Sequence, residues 1–201
     1  MYTPARHDEI TGLVNHLDAQ LSAVRAAAIG LTEEQATSRP CRSSLSIGGL
    51  IKHVTQVMQG AIDRYHGTGA GPDEYDEGAI AAYHEGFTVT GDETVAGVIA
   101  QFDRTRVEYL AAVRTVDPSA PTTEPPAPWF GVFDERPAHA RYHLVHQVEE
   151  IARHAGHADI IREQIDGVSV PAIVLSEAGA PANDFLQPYT PAPGTIGAPQ
   201  G

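Results

Sequence analysis

Apolar positions recur along this chain at helical rather than strand spacing. Ile10, Leu13, Val14, Leu17, Leu21, Val24 and Ala28 fall mostly three or four apart and predict a helix from about Ala5 to Ile29, with Gly30 as its stop. Thr32, followed by Glu34 and Gln35, is placed to cap a short turn that Pro40 ends. Leu50, Ile51, Val54, Val57, Met58 and Ile62 predict a second long helix over Ile47 to Tyr65, with Ser43, Ser44 and Ser46 as cap candidates. The stretch HGTGAGPDEYDEG that follows reads as a Gly-rich acidic loop. A third helix is expected from Asp92, as its cap, to about Val116, burying Val95, Val98, Ile99, Phe102, Val107, Leu110 and Val113.

The run PSAPTTEPPAP cannot be helical, because proline lacks the N–H donor and clashes with the preceding turn. Trp129, Phe130, Val132 and Phe133 come next and are expected to fold back onto the helices. A fourth long helix is predicted from Pro137, suited to a first turn, to Ile165, with Asp166-Gly167 as its stop. Four long helices and no convincing strand pair predict an all-α bundle over residues 1–167. Residues 168–201, with repeated Pro and Gly, read as an extended tail that wraps the bundle.

Composition narrows the function classes. The 201 residues suffice for one domain with a sizeable core. No apolar run approaches the roughly 20 residues that span a bilayer. The polar start, MYTPARHDEITGL, lacks a basic segment followed by an apolar one, so no signal peptide is expected and the expected compartment is the cytoplasm. A net charge of -13 argues against nucleic acid and against anionic lipid as partners, since both need a basic face. A single cysteine, Cys41, excludes an internal disulfide and a thiolate-rich zinc finger, and it reads as an inert loop or core thiol. Lys52 is the only lysine; with abundant Ala, Gly and Pro this is the pattern of a high-GC bacterial coding bias.

The candidate chemistry sits on the fourth helix, in HLVHQVEEIARHAGHADIIRE. His143, His146, Glu150, His154 and His157 are the polar residues there that could face inward. Glu150 and His154 are one turn apart, so both can grip one ion. Val148, Ile151 and Ile161 flank that face, and burying a carboxylate and an imidazole there is costly unless they are paired or ligate a metal. His53, the one His inside the second helix, is the candidate third ligand. A His-Glu-His set suits zinc, nickel or iron, and three protein ligands leave a position free for chemistry. On spacing alone, a hydrogen-bonded core His and a surface Glu–His pair stay open as alternatives. Glu149 with Arg153, and Arg162 with Glu163, are expected to form the solvated face of this helix.

The run EEIARHAGHADIIREQIDG resembles the C-terminal helix of the DinB-like (YfiT-like) metalloprotein superfamily. It is closest to the branch of mycothiol-dependent maleylpyruvate isomerase and mycothiol S-transferases. The runs GLTEEQATSRP and SLSIGGLIKHVTQV are similar to that branch's entry to its second helix, and order and spacing match over roughly residues 10–167. The resemblance implies an up-down-down-up four-helix bundle with a metal site at one end. It implies His53, Glu150 and His154 as ligands, Glu150 taking a place where most of the superfamily has His. It also implies a divalent metal, zinc before nickel or iron, with mycothiol as thiol co-substrate and a small electrophile as acceptor. A homodimer is the expected assembly. His157 is the candidate catalytic side chain, placed to position water or substrate, and Arg141 and Arg153 are candidates for pairing with acidic groups of the thiol cofactor. Where related chains carry an acidic residue and then Trp after the first ligand, this chain has Met58 and Ala61, which implies a wider, more apolar pocket. Two other functions fit the same pattern: a metal-activated hydrolase or isomerase, and a non-catalytic metal or small-molecule binding protein.

Overall fold

The computed structural model describes residues 8–67, 77–127, 130–184 and 187–198. In chain order the elements are α1 (Glu9–Ala26), α2 (Glu33–Thr37), α3 (Ile47–Tyr65), α4 (Glu77–Glu85), α5 (Val95–Val113), β1 (Pro121–Glu124), β2 (Arg136–His139), α6 (Ala140–Asp166) and α7 (Val170–Glu177). The fold is thus mostly helical, as the periodicity predicts.

Side-chain caps set the helix starts. Asp8 accepts the N–H of Thr11, Thr32 and Gln35 form a reciprocal capping box, and Ser46 accepts the N–H of Gly49. The third long helix starts later than expected. Thr94, not Asp92, caps α5, its hydroxyl accepting the Gly97 N–H at 3.0 Å. The carboxylate of Glu33 accepts the next two free donors, from Val95 at 2.8 Å and Ala96 at 3.1 Å, so α2 helps to end-cap α5. At the far end of α6, Gly167 adopts φ +74°, a left-handed stop that glycine reaches without strain.

The long helices pack α3 on α5 and α1 on α6, with further α1–α5 and α3–α6 contacts. Leu17, Leu21 and Val24 of α1 meet Leu50, Ile51, Val54 and Met58 of α3, Phe102 and Val113 of α5, and Leu144, Ile151 and Ile161 of α6 in one core. Full burial of each such side chain contributes about 1.5–3 kcal/mol. One position of the expected α5 stripe fails. Val107 is 71% exposed, and Thr105 and Tyr109 are buried instead, because 102, 105, 109 and 113 keep the three-or-four spacing that 107 breaks.

A strand pair exists where none was expected. β1 and β2 are antiparallel, in the register Pro121↔His139 to Glu124↔Arg136. Pro137 therefore lies in a strand and not in a first helical turn, and the helix begins at Ala140. A two-stranded ribbon has only edges, so the missing proline donors cost little. Phe130 and Phe133, expected on the bundle, are 80% and 72% exposed on the loop between these strands. Trp129 lies outside the described residues, as do residues 68–76 of the expected acidic loop.

The C-terminal segment is not simply extended. Val170–Glu177 forms α7, which packs on α1 and buries Val170 and Ile173. Further on, Gly30 N–H donates to Ile196 O at 2.7 Å and Ile196 N–H to Leu31 O at 2.9 Å. Arg162, expected on the solvated face, is fully buried. Its guanidinium donates to the carbonyls of Ala27 (2.9 Å) and Ile29 (2.6 Å), to Asp166, and to the Tyr189 hydroxyl (3.0 Å). The carbonyls lie just beyond the end of α1, where backbone acceptors lack helical partners. No helix among the described residues is long and apolar enough to cross a membrane.

Candidate metal centre

Helices α3 and α6 bring His53, Glu150 and His154 together. The Nε2 of His53 lies 3.4 Å and the Nε2 of His154 3.0 Å from the same oxygen, Oε1 of Glu150. All three ligand atoms lie within 4.8 Å of one another. Both imidazoles are buried and Glu150 is half-buried. Donors held about 2.0–2.2 Å from a tetrahedral ion sit roughly 3.3–3.5 Å apart, so the two nitrogen–oxygen distances suit one divalent cation, on which the two imidazoles would close. The set of two imidazoles and one carboxylate suits zinc, nickel or iron.

The electrostatics agree with that fit. Hydrogen bonds from His154 and then His53 hold the Glu150 carboxyl well below the usual carboxylate range, against the opposing effect of burial. The site thus keeps a fixed negative charge between two ring nitrogens. The Nδ1 of His154 is buried and meets no partner among the described residues. Metal-bound imidazoles are ordinarily oriented by a hydrogen bond at the second nitrogen. Here packing holds the ring: His53 lies 4.7 Å, His157 5.6 Å and Phe87 5.8 Å away between centroids.

Two aromatic residues that the sequence analysis did not single out complete the site. The ring of Phe87 stacks on His53, and Tyr83 meets His53 edge-on at 6.0 Å. Both come from α4 and the turn after it, in AAYHEGF. Two aromatics four apart ahead of the third helix were the available signal. The Phe87 backbone can approach α3 because residue 49 is glycine; a side chain there would collide with the Phe87 carbonyl.

The remaining candidates divide. His157 is exposed, with its ring edge-on to His154. His143 is buried but turned to β1, its Nε2 donating to Thr123 O at 2.9 Å. His146 is exposed beside Glu149 at 3.4 Å. Arg153 pairs with Glu149 at 2.9 Å, whereas Arg141 pairs with Glu9 at 2.8 Å, away from the three converging residues. Cys41 is half-buried against the core.

Two cavities meet at Glu150 and Tyr83. The larger, about 870 Å³, runs beneath the strand pair past Val57, Ala61, Tyr65, Arg64, Arg136 and Tyr142. Ala61 forms part of its wall, whereas Met58, expected beside it, is fully buried in the core. The smaller, about 510 Å³, opens past His154, His157, Arg153, Arg39, His84 and Phe87.

The family model for Mycothiol-S-transferase matches residues 12–167. The chain belongs to the mycothiol-S-transferase family. This is the DinB-like branch that the motifs resemble. No curated protein and no solved structure matches the chain significantly. The matched span holds every residue of the converging trio, and it ends at Gly167, the left-handed stop of α6. In this mycothiol-S-transferase family member α7 and the following segment lie beyond the match.

Proposed function

We propose that this chain is a metal-dependent S-transferase that joins mycothiol to a small electrophile. His53, Glu150 and His154 hold one divalent ion, zinc before nickel or iron. The observation that carries the reading is the convergence of two buried Nε2 atoms on one carboxylate oxygen. When bound, such an ion lowers the pKa of a thiol presented to it and so supplies a thiolate at neutral pH.

The chain's own groups supply the rest. Glu150 brings a full negative charge to the ligand set. Phe87 and Tyr83 cover His53 and hold its ring in place. The two cavities at Glu150 give separate room for thiol and electrophile. His157, exposed at the rim of the smaller cavity, positions substrate or water, and Arg153, expected to pair with the thiol cofactor, lines the same cavity. Arg141, committed to Glu9, receives no role in this reading. Cys41 is not needed, because the reactive sulfur arrives with the co-substrate. As part of the same reading, the four long helices form an up-down-down-up bundle over residues 1–167, with 168–201, including α7, as an appended tail. The protein works in the cytoplasm as a homodimer.

A conjugation assay with mycothiol and a fluorogenic electrophile, paired with elemental analysis, tests this. About one divalent ion per chain is expected. His154→Ala should lose most of the metal and the turnover while keeping its helical spectrum, and Cys41→Ser should keep both. Equal metal in wild type and His154→Ala would remove the site from this position. Loss of turnover in a folded Cys41→Ser would make Cys41 the nucleophile. Metal without thiol transfer to any electrophile would favour a metal-activated hydrolase or isomerase.

A further inference from the structure

The two cavities at Glu150 differ in charge. In a chain of net charge -13, the smaller one is lined by two guanidinium groups, Arg39 and Arg153, and by the imidazoles of His84, His154 and His157. Among the described residues its one carboxylate is Glu150, already engaged by two imidazoles at 3.0 and 3.4 Å. Among the described residues, Arg39 makes one long contact, 3.4 Å to the Thr88 hydroxyl, and no ion pair. Arg153 uses a single Nη2 on Glu149. Most of the guanidinium donors on this cavity therefore meet no partner among the described residues, and they come from two elements far apart in the chain, the loop after α2 and helix α6.

Guanidinium groups recognise planar oxyanions with paired N–H donors, and the Glu150 carboxylate beside them is already held by two imidazoles. At about 510 Å³ the space suits a small molecule. We propose that the smaller cavity is an anion subsite, in which Arg39 and Arg153 hold the carboxylate of an acidic electrophile beside His154. This rests on the thiol-transfer reading and adds the class of acceptor to it: a small, carboxylate-bearing electrophile. The thiol then takes the larger cavity on the other side of Glu150.

The test uses two non-reacting probes, succinate and succinamide, titrated calorimetrically into the full-length zinc-loaded chain at low salt. Succinate should bind about tenfold more tightly, and Arg39→Gln and Arg153→Gln should each remove most of that preference. Arg104→Gln, exposed on α5, should leave it intact. Equal affinity for both probes overturns the subsite. So does a succinate preference that survives both cavity substitutions, since the anion would then sit elsewhere. In the transfer assay, Arg39→Gln should raise KM for a carboxylate electrophile and leave KM for its amide unchanged. Arginine-dependent succinate binding with no thiol transfer to any electrophile would keep the subsite and sink the transferase reading. Transfer with no preference for charge would sink the subsite alone.

Discussion

The imidazole of His53 lies flat on the ring of Phe87, with centroids 3.8 Å apart and planes 18° apart. Phe87 is not on the helix that carries His53; it is brought there by the turn after α4, over Gly49. The stack fixes the imidazole plane and so the direction of its Nε2 toward Glu150. Aromatic pairs of this kind contribute about 0.5–1.5 kcal/mol beyond the area they bury. Phe87→Ala should therefore weaken zinc binding by roughly three- to tenfold, with Phe87→Leu intermediate. Competition with a chromophoric chelator measures it, and unchanged affinity in Phe87→Ala would mean that His53 is oriented by something else.

Glu150 makes the metal-free protein sensitive to acid. Its folded-state pKa is depressed by His154 and His53, below an unfolded value near ~4.3. The folded state then binds fewer protons, so this stability is fully present above the unfolded value and is lost as pH falls through the folded one. Wild type should exceed Glu150→Gln in urea stability above about pH 5, and the gap should close toward lower pH. A gap that stays constant with pH would show that the carboxylate charge is not what holds the trio together. At neutral pH, Glu150→Gln should also retain less zinc, whereas Glu150→His should retain it, since a His pair one turn apart still chelates.

Arg162 joins α6 to the end of α1 and to Tyr189. Arg162→Met removes a buried cation and strands two carbonyls and Asp166, which should cost about 3–5 kcal/mol. Tyr189→Phe should cost only ~0.5–1.5 kcal/mol, the loss of one hydrogen bond. Urea denaturation gives both values. Arg162→Met with wild-type stability would mean that these carbonyls are satisfied without it.

Tyr109, buried, and Tyr65, half-buried, should limit stability in alkali. Burial pushes the Tyr65 hydroxyl up to about 12 and raises Tyr109 further, helped by the nearby Tyr65. The folded state favours the neutral phenols, so the stability they carry is present below the unfolded value near ~10 and falls as pH rises above it. Tyr109→Phe should flatten the alkaline limb of the stability profile. It should cost little at neutral pH, because the hydroxyl faces only the Tyr65 hydroxyl, and among the described residues makes no hydrogen bond of ordinary length. An unchanged alkaline limb would place the titrating group elsewhere.

Local physics was legible in the chain. Helical period, the Thr32 capping box, the Ser46 cap and the Gly167 stop are decided within one or two turns of backbone, so the long helices follow from sequence alone. The Glu150–His154 pair was equally open to reading, because one turn of helix places both on one face. Most of what lies far apart in sequence was not; His53 could be named only because it is the one His inside the second helix. Arg162 looks like a surface residue until the end of α1, 135 residues earlier, supplies its carbonyl partners. Thr94 displaces Asp92 as a cap because Glu33 arrives to take the following donors. The strand pair forms because chain on either side of an eleven-residue loop, 125–135, meets edge to edge, which no short window of sequence encodes. Phe87 reaches His53 only through the glycine that lets two backbones touch. In each case a side chain's burial is set by a partner that only the folded chain brings near, and periodicity carries no information about partners.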